Sequence, residues 1–321
     1  MLNPDDRWVW DFWHVQDGTT HHLYYLQAPK VLGDPELRHR HATIGHATST
    51  DLCTWTEHGT VLTPGGPGTV DATATWTGCV VQGDDGIWRM FYTGSTFLSP
   101  DSTANIEVIA LAVSEDLYTW TKDERFALRA DEAWYEKLHT STWPEEAWRD
   151  PWVYRADDGT WRMLVTARSN AGAVDDRGVV GHARSADLQD WEVTEPLTRA
   201  GAGFGQLEVL QNVAIEGLPF VVFSTHQMTL TAARQEAGGD TGTWIAPVSK
   251  DGEILLDTAT NLTDGTLYSG RIINLEGTAV LLAFRTVDDR GTFLGGITDP
   301  IPVGLRNGKP ELLPLPLTVT F

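Results

Sequence analysis

Three acidic residues occupy related places in a repeating pattern. Asp11 in Trp10-Asp11-Phe12-Trp13 lies seven residues before Gly18, Asp150 in Trp148-Arg149-Asp150-Pro151-Trp152 lies nine before Gly159, and Glu208 in Leu207-Glu208-Val209-Leu210 lies nine before Gly217. Their neighbours are mostly aromatic or aliphatic. Brought together, three such carboxylates repel one another when all are ionised, and at least one pKa must rise. Sugar hydrolysis asks for that arrangement: one carboxylate opposite the leaving group, one protonated acid beside it, and negative charge near an oxocarbenium-like transition state. A single Asp in a chain with 44 acidic residues is ordinarily a solvated turn acid, so the shared register is what distinguishes these three.

The element that must position them is a Gly turn feeding a strand, and it occurs five times. Asp17-Gly18 precedes His22 to Leu26, Asp85-Gly86 precedes Trp88 to Tyr92, and Asp158-Gly159 precedes Trp161 to Val165. Glu216-Gly217 precedes Pro219 to Phe223, and Glu276-Gly277 precedes Ala279 to Phe284. The spacing of about 60 to 70 residues fits one four-stranded sheet with its loops. Three copies share a second phrase, Ser-x-Asp-Leu-x-x-Trp, ending at Trp55, Trp120 and Trp191, whose Trp packs most economically between neighbouring sheets. Helical periodicity is scarce, and Asp131 to Trp148 is the one stretch expected to hold a short helix. The expected fold is all-β: a five-bladed β-propeller with a central negatively charged pocket, which leaves few exposed sheet edges. A pair of β-sandwiches is the competing architecture, but would not repeat one turn-strand-turn phrase five times. The strand before each Gly turn then lines the channel. Residues 1–321 are expected to form a single catalytic domain without a C-terminal β-sandwich.

Composition narrows the partners. Against 23 basic residues, the 44 acids give a formal charge of −21, which argues against nucleic acid and anionic membranes and suits a neutral or cationic ligand. No apolar run is long enough for a membrane span, and no secretory leader pattern opens the chain, so a cytoplasmic location is expected. Cys53 and Cys79 are too few for a disulfide scaffold and read as small core residues. Arg38-His39-Arg40-His41 and His46 lack distinctive ligand spacing and read as a pocket rim rather than a metal site. Asp84-Asp85 and Asp175-Asp176 read as turn acids, and Gly201 to Gly205 lacks the context of a phosphate cradle.

On these motifs the chain resembles the β-fructosidase superfamily, glycoside hydrolase families 32 and 68, whose catalytic module is a five-bladed propeller. Asp11 in Trp-Asp-Phe-Trp is similar to the nucleophile segment, in the form used by levansucrases rather than the Asn-Asp-Pro-Asn of invertases. Tyr24 to Pro29 is similar to Phe-Tyr-Gln-x-x-Pro, which implies Gln27 at the sugar. Gly45-His46-Ala47 through Trp55, Trp76-Thr77-Gly78-Cys79 and Arg149-Asp150-Pro151 resemble further family motifs. The resemblance implies that Asp150 stabilises the transition state and that Glu208 is the acid/base, although Val209-Leu210 stands where the family has Cys-Pro or Arg-Pro.

The resemblance implies a retaining glycosidase of fructofuranosides, or a closely related transfructosylase, using Asp11, Asp150 and Glu208. Trp10, Gln27, Trp76, Thr77, Arg149 and Tyr268 are the expected substrate-binding residues, with Trp13, Trp148 and Trp152 as further aromatic neighbours and Arg271 as a candidate from register alone. The expected substrate is a small oligosaccharide or fructan, with no metal or other cofactor. An inverting arabinanase-like furanosidase and a non-catalytic sugar-binding propeller remain alternatives.

Overall fold

The computed structural model describes residues 1–314. Five four-stranded antiparallel sheets follow one another along the chain, each ordered as its strands occur in sequence. Blade 1 holds β1 (Arg7–Asp17), β2 (Thr20–Pro29), β3 (Thr43–Ser49) and β4 (Thr56–Leu62). Blade 2 holds β5 (Ala74–Gln82), β6 (Trp88–Phe97), β7 (Asn105–Ser114) and β8 (Thr121–Lys122). Blade 3 holds β9 (Trp148–Arg155), β10 (Trp161–Arg168), β11 (Gly178–Ser185) and β12 (Trp191–Thr194). Blade 4 holds β13 (Glu208–Ile215), β14 (Leu218–Thr225), β15 (Gly242–Pro247) and β16 (Thr260–Asn261), and blade 5 holds β17 (Leu267–Leu275), β18 (Thr278–Arg285), β19 (Ile301–Arg306) and β20 (Lys309–Leu312). The expected five-bladed propeller is the observed architecture. Its ring closes where Leu2 pairs with Ile297 and Gly296 donates to the Val9 carbonyl at 2.7 Å.

Each Gly turn joins the first two strands of a blade. In blades 4 and 5 the turn is the two-residue pair Glu216-Gly217 or Glu276-Gly277, with positive φ at both positions, as tight hairpins require. The apolar core lies between successive blades: one cluster joins blades 5, 1 and 2, and others join 2 with 3, 3 with 4, and 4 with 5. The Ser-x-Asp-Leu-x-x-Trp turns contribute to it. Asp51, Asp116 and Asp187 each accept two backbone N–H groups within their own turn, while Leu52, Leu117 and Leu188 are buried in the left-handed conformation. Trp120 then meets Tyr24 of blade 1, and Trp191 meets Phe91 of blade 2.

The expected helix over Asp131 to Trp148 is absent. Backbone groups there bond outward, Glu136 N–H to the Arg168 carbonyl and Glu146 N–H to the Asn105 carbonyl, while Pro144 and the left-handed His139 interrupt any helical run. Among the described residues the only α-helix is α1 (Ala232–Glu236). None of them forms a helix long and apolar enough to cross a membrane.

Candidate active site

All five inner strands break register at the same level. The irregularity falls at Asp11 in β1, Thr77 in β5, Asp150-Pro151 in β9, Val209-Leu210 in β13 and Ser269-Gly270 in β17. A β-bulge turns a side chain that regular pleating would direct elsewhere, and here five of them face one mouth of the ring. Asp150, Val209 and Ser269 hold φ of 56°, 55° and 49°. Matching these left-handed residues aligns Glu208 with Tyr268, as counting back from the Gly turns does, but with Arg149 rather than with Asp150 one position later. The reason is turn length: blade 3 uses a longer loop after β9 than blades 4 and 5 use after β13 and β17.

The mouth is a cavity of about 530 Å³ whose lining includes Asp11, Asp150 and Glu208. Trp10, Trp76, Thr77, Arg149 and Tyr268 also line it. Gln27 does not. It lies buried on β2 and donates to Thr60 Oγ1 on β4 at 2.8 Å. Leu26 faces the cavity instead, because strand neighbours point to opposite faces. Counted from Pro29, the Gln of the six-residue motif in fact falls on Leu26. Of the other aromatic neighbours, Trp13 and Trp148 are buried in the core, and Trp152 donates to Asn212 Oδ1 at 2.6 Å. Arg38 and His39 do form part of the rim, on a turn of 3-10 helix over Pro35–His41, with Arg38 lying 4.0 Å from the centre of the Phe293 ring. His46 pairs with His22 within blade 1. Among the described residues, no group of three His, Cys, Asp or Glu is arranged to hold a metal ion.

Two consecutive residues of β17 touch two different acids. Ser269 Oγ donates to Asp11 Oδ1 at 2.5 Å, and the Tyr268 hydroxyl donates to Glu208 Oε2. Thr77 Oγ1 donates to the other Asp11 oxygen at 2.7 Å. Arg149 Nη2 donates to Glu208 Oε1 at 2.7 Å and to Gln206 at 2.8 Å, while its Nη1 meets Glu145 at 2.9 Å and the buried Glu107 at 3.1 Å. Asp150 Oδ2 accepts from Thr166 Oγ1 at 3.0 Å and from Val209 N–H at 3.3 Å. Ser269, Thr166, Glu107 and Gln206 were not singled out from sequence. Only Ser269, adjacent to Tyr268, and Gln206, close to Glu208, carried any positional signal.

These partners divide the acids electrostatically. Burial raises the pKa of Asp11, the Ser269 and Thr77 hydroxyls oppose the rise, and Glu208 adds to it. Asp150 is pushed up to about 7 by burial, against Arg149 and with the help of Asp11 and Glu208. For Glu208, burial is outweighed by Arg149, His226 and the Tyr268 hydroxyl, and its pKa falls. His39 is pushed down to about 3 by burial and nearby cations, so a neutral imidazole faces the cavity.

The model of the glycosyl hydrolases family 32 N-terminal domain matches residues 4–289. The raffinose invertase of Escherichia coli is 32% identical over 164 residues, which are 50% of this chain and 30% of that protein. The chain's matches span under a third of the length of such curated relatives. The inulosucrase of Halalkalicoccus jeotgali, solved with kestose, superposes with a TM-score of 0.74 at 20% identity, covering 97% of this chain and 90% of that one. The levansucrase of Gluconacetobacter diazotrophicus gives 0.74 at 18% identity, covering 97% and 81%. These likenesses show the propeller fold, and the family match extends across all the inner strands that carry the acids: the chain belongs to glycosyl hydrolase family 32.

Proposed function

We propose that this propeller cleaves terminal fructofuranosyl units with retention, or transfers them to another sugar. The observation that carries the reading is the convergence of Asp11, Asp150 and Glu208, from blades 1, 3 and 4 of a family 32 propeller, in one cavity. Asp11 attacks the anomeric carbon while Glu208 protonates the departing oxygen. Water, or an acceptor hydroxyl deprotonated by Glu208, then displaces the sugar from Asp11. Asp150 stabilises the cationic transition state without exchanging a proton. The volume of about 530 Å³ suits the end of a small oligosaccharide, and a relative named for raffinose and a structure with kestose support that substrate class. The reading takes residues 1–321 as a single catalytic domain that needs no cofactor.

Set by the protein's own groups, the shifts of Asp11 and Glu208 run against these roles. Substrate reverses the balance by linkage, because a glycosidic oxygen accepts a hydrogen bond only from protonated Glu208 and so favours that form. Activity then follows a bell-shaped pH profile whose limbs belong to the interacting acids as a set.

The test is a panel of sucrose, raffinose, 1-kestose, inulin, levan and arabinan, with released sugars followed by chromatography. Fructose release that disappears in Asp11→Asn and Glu208→Gln supports the reading. Arabinose release transfers the assignment to an inverting furanosidase, and silence on every substrate leaves a sugar-binding propeller.

A further inference from the structure

The inner strands of blades 3, 4 and 5 belong to separate sheets, so side chains must tie them together beneath the acids. Trp152 Nε1 on β9 donates to Asn212 Oδ1 on β13. The Gln211 amide on β13 brackets Ile272 of β17, donating to its carbonyl and accepting from its N–H, both at 2.8 Å. The third tie is Arg271 on β17. Its Nη1 donates to the carbonyls of Val209 at 3.3 Å and Leu210 at 2.5 Å, and its guanidinium lies 5.0 Å from the centre of the Trp152 ring.

Those two carbonyls are the bulge that follows Glu208. Val209 is β-branched yet left-handed, a conformation that persists only where its surroundings over-determine it. Its N–H donates to Asp150 and its carbonyl accepts from Arg271, so the bulge is gripped on both sides. The choice of an arginine for this task needs its own explanation. Arg271 is 1% exposed and, among the described residues, has no carboxylate within ion-pair distance. Burying an unpaired guanidinium is costly, and an apolar side chain would fill the space more cheaply.

We propose that Arg271 is a positioning residue of this active site, holding the bulge that aims Glu208 and presenting positive charge from beneath to Asp11 and Asp150. The inference rests on the fructosidase reading above. The negative groups that Arg271 feels are Asp11 from β1 and Asp150 from β9; Cys79 of β5 faces it too, but burial pushes that thiol up to about 12 and keeps it neutral. Arg149 offsets Asp150 from the same strand, Glu208 of β13 opposes both acids, and Arg38 faces Asp11 from the rim. Burial lowers Arg271 to about 10, so it remains charged at neutral pH.

The experiment compares wild type, Arg271→Lys and Arg271→Met across pH 4 to 9, measuring kcat, KM and thermal unfolding with whichever fructoside the wild type hydrolyses. Expected for Arg271→Met is a kcat lower by about 100-fold with KM within about threefold, the cost of a misaimed catalytic group. Its acidic limb moves up by about one pH unit, because the acids lose a nearby cation. Arg271→Lys, which keeps the charge and loses the fork, returns the limb to its wild-type position with kcat still about tenfold low. A folded Arg271→Met with wild-type kcat and a superimposable profile overturns the inference while leaving the fructosidase reading intact. If Arg271→Met does not fold, the lysine variant decides: a depressed kcat at unchanged KM supports the inference, and wild-type kcat overturns it. A wild type inactive on all fructosides overturns the reading itself, and the inference with it.

Discussion

Asp11 and Glu208 open onto the same cavity, yet their pKa values are shifted in opposite directions. Asp11 is held by two neutral hydroxyls, from Ser269 and Thr77, which do not compensate its burial. Glu208 receives the Arg149 guanidinium and the Tyr268 hydroxyl, which together with nearby His226 overcome burial. Neighbouring residues of one β17 bulge reach both acids, so the contrast owes less to distance than to the charge of the other partners. Hydrogen bonding alone moderates desolvation, whereas a cation reverses its effect.

The largest way to test the contrast is to neutralise each acid. Asp11→Asn should lower kcat by about 10⁴-fold, comparable to losing one member of a catalytic set. Glu208→Gln should fall similarly on sucrose but recover on a nitrophenyl fructofuranoside, whose leaving group needs no proton. Equal recovery of both variants would break the division of roles. Next in size, Arg149→Met should destabilise the fold by about 3–5 kcal/mol in urea unfolding, because Glu107 and Glu208 lose their shared cation. An unchanged unfolding midpoint would show that this network contributes nothing to stability.

Asp150→Asn tests the sign of a raised carboxyl. Its folded pKa of about 7 lies above the ordinary 3.8, so unfolding releases its proton and ionisation weakens the native state. The contribution of this group to stability therefore declines as pH rises from about 4 to about 7 and stays low above that. Asn tolerates the left-handed backbone at this position, so the variant should melt higher than wild type at pH 8, and the difference should vanish near pH 4. A constant difference between the two melting curves would contradict it.

Smaller effects come from the β17 pair. Tyr268→Phe removes a donor from the charged form of Glu208, so its pKa rises and the basic limb of the rate profile moves to higher pH, with kcat altered by about tenfold. Ser269→Ala removes one donor from ionised Asp11, so the acidic limb moves up by a few tenths of a unit with about a fivefold loss in kcat. Shifts in the same limb for both variants would show that the two hydroxyls do not serve different acids.

The architecture was legible because a propeller is written as repetition. Five Gly turns and three Asp-capped Leu-x-x-Trp turns are stabilised within a few residues of themselves, and three acids in nearly common register stand beside them as a pattern along the chain. The helix expected over Asp131 to Trp148 failed because that segment takes its hydrogen bonds from β7 and β10, which no local pattern reveals. Gln27 failed for a phase reason: one residue along a strand exchanges the cavity face for the opposite one, and Leu26 has the cavity.

The number of blades, the turns that begin them and the acids near their inner ends can be read along the chain, because these depend on backbone conformation and alternation over short spans. Where each inner strand bulges, the contact of Arg149 with four carboxylates at once, and the places of Ser269 and Arg271 beside and beneath the acids emerge only when the blades close into a ring. Apart from Arg149 with its near neighbours Glu145 and Asp150, those contacts join residues some 40 to 260 positions apart, and it is ring closure, through the burial and charge it imposes, that makes three similar carboxyls unlike one another.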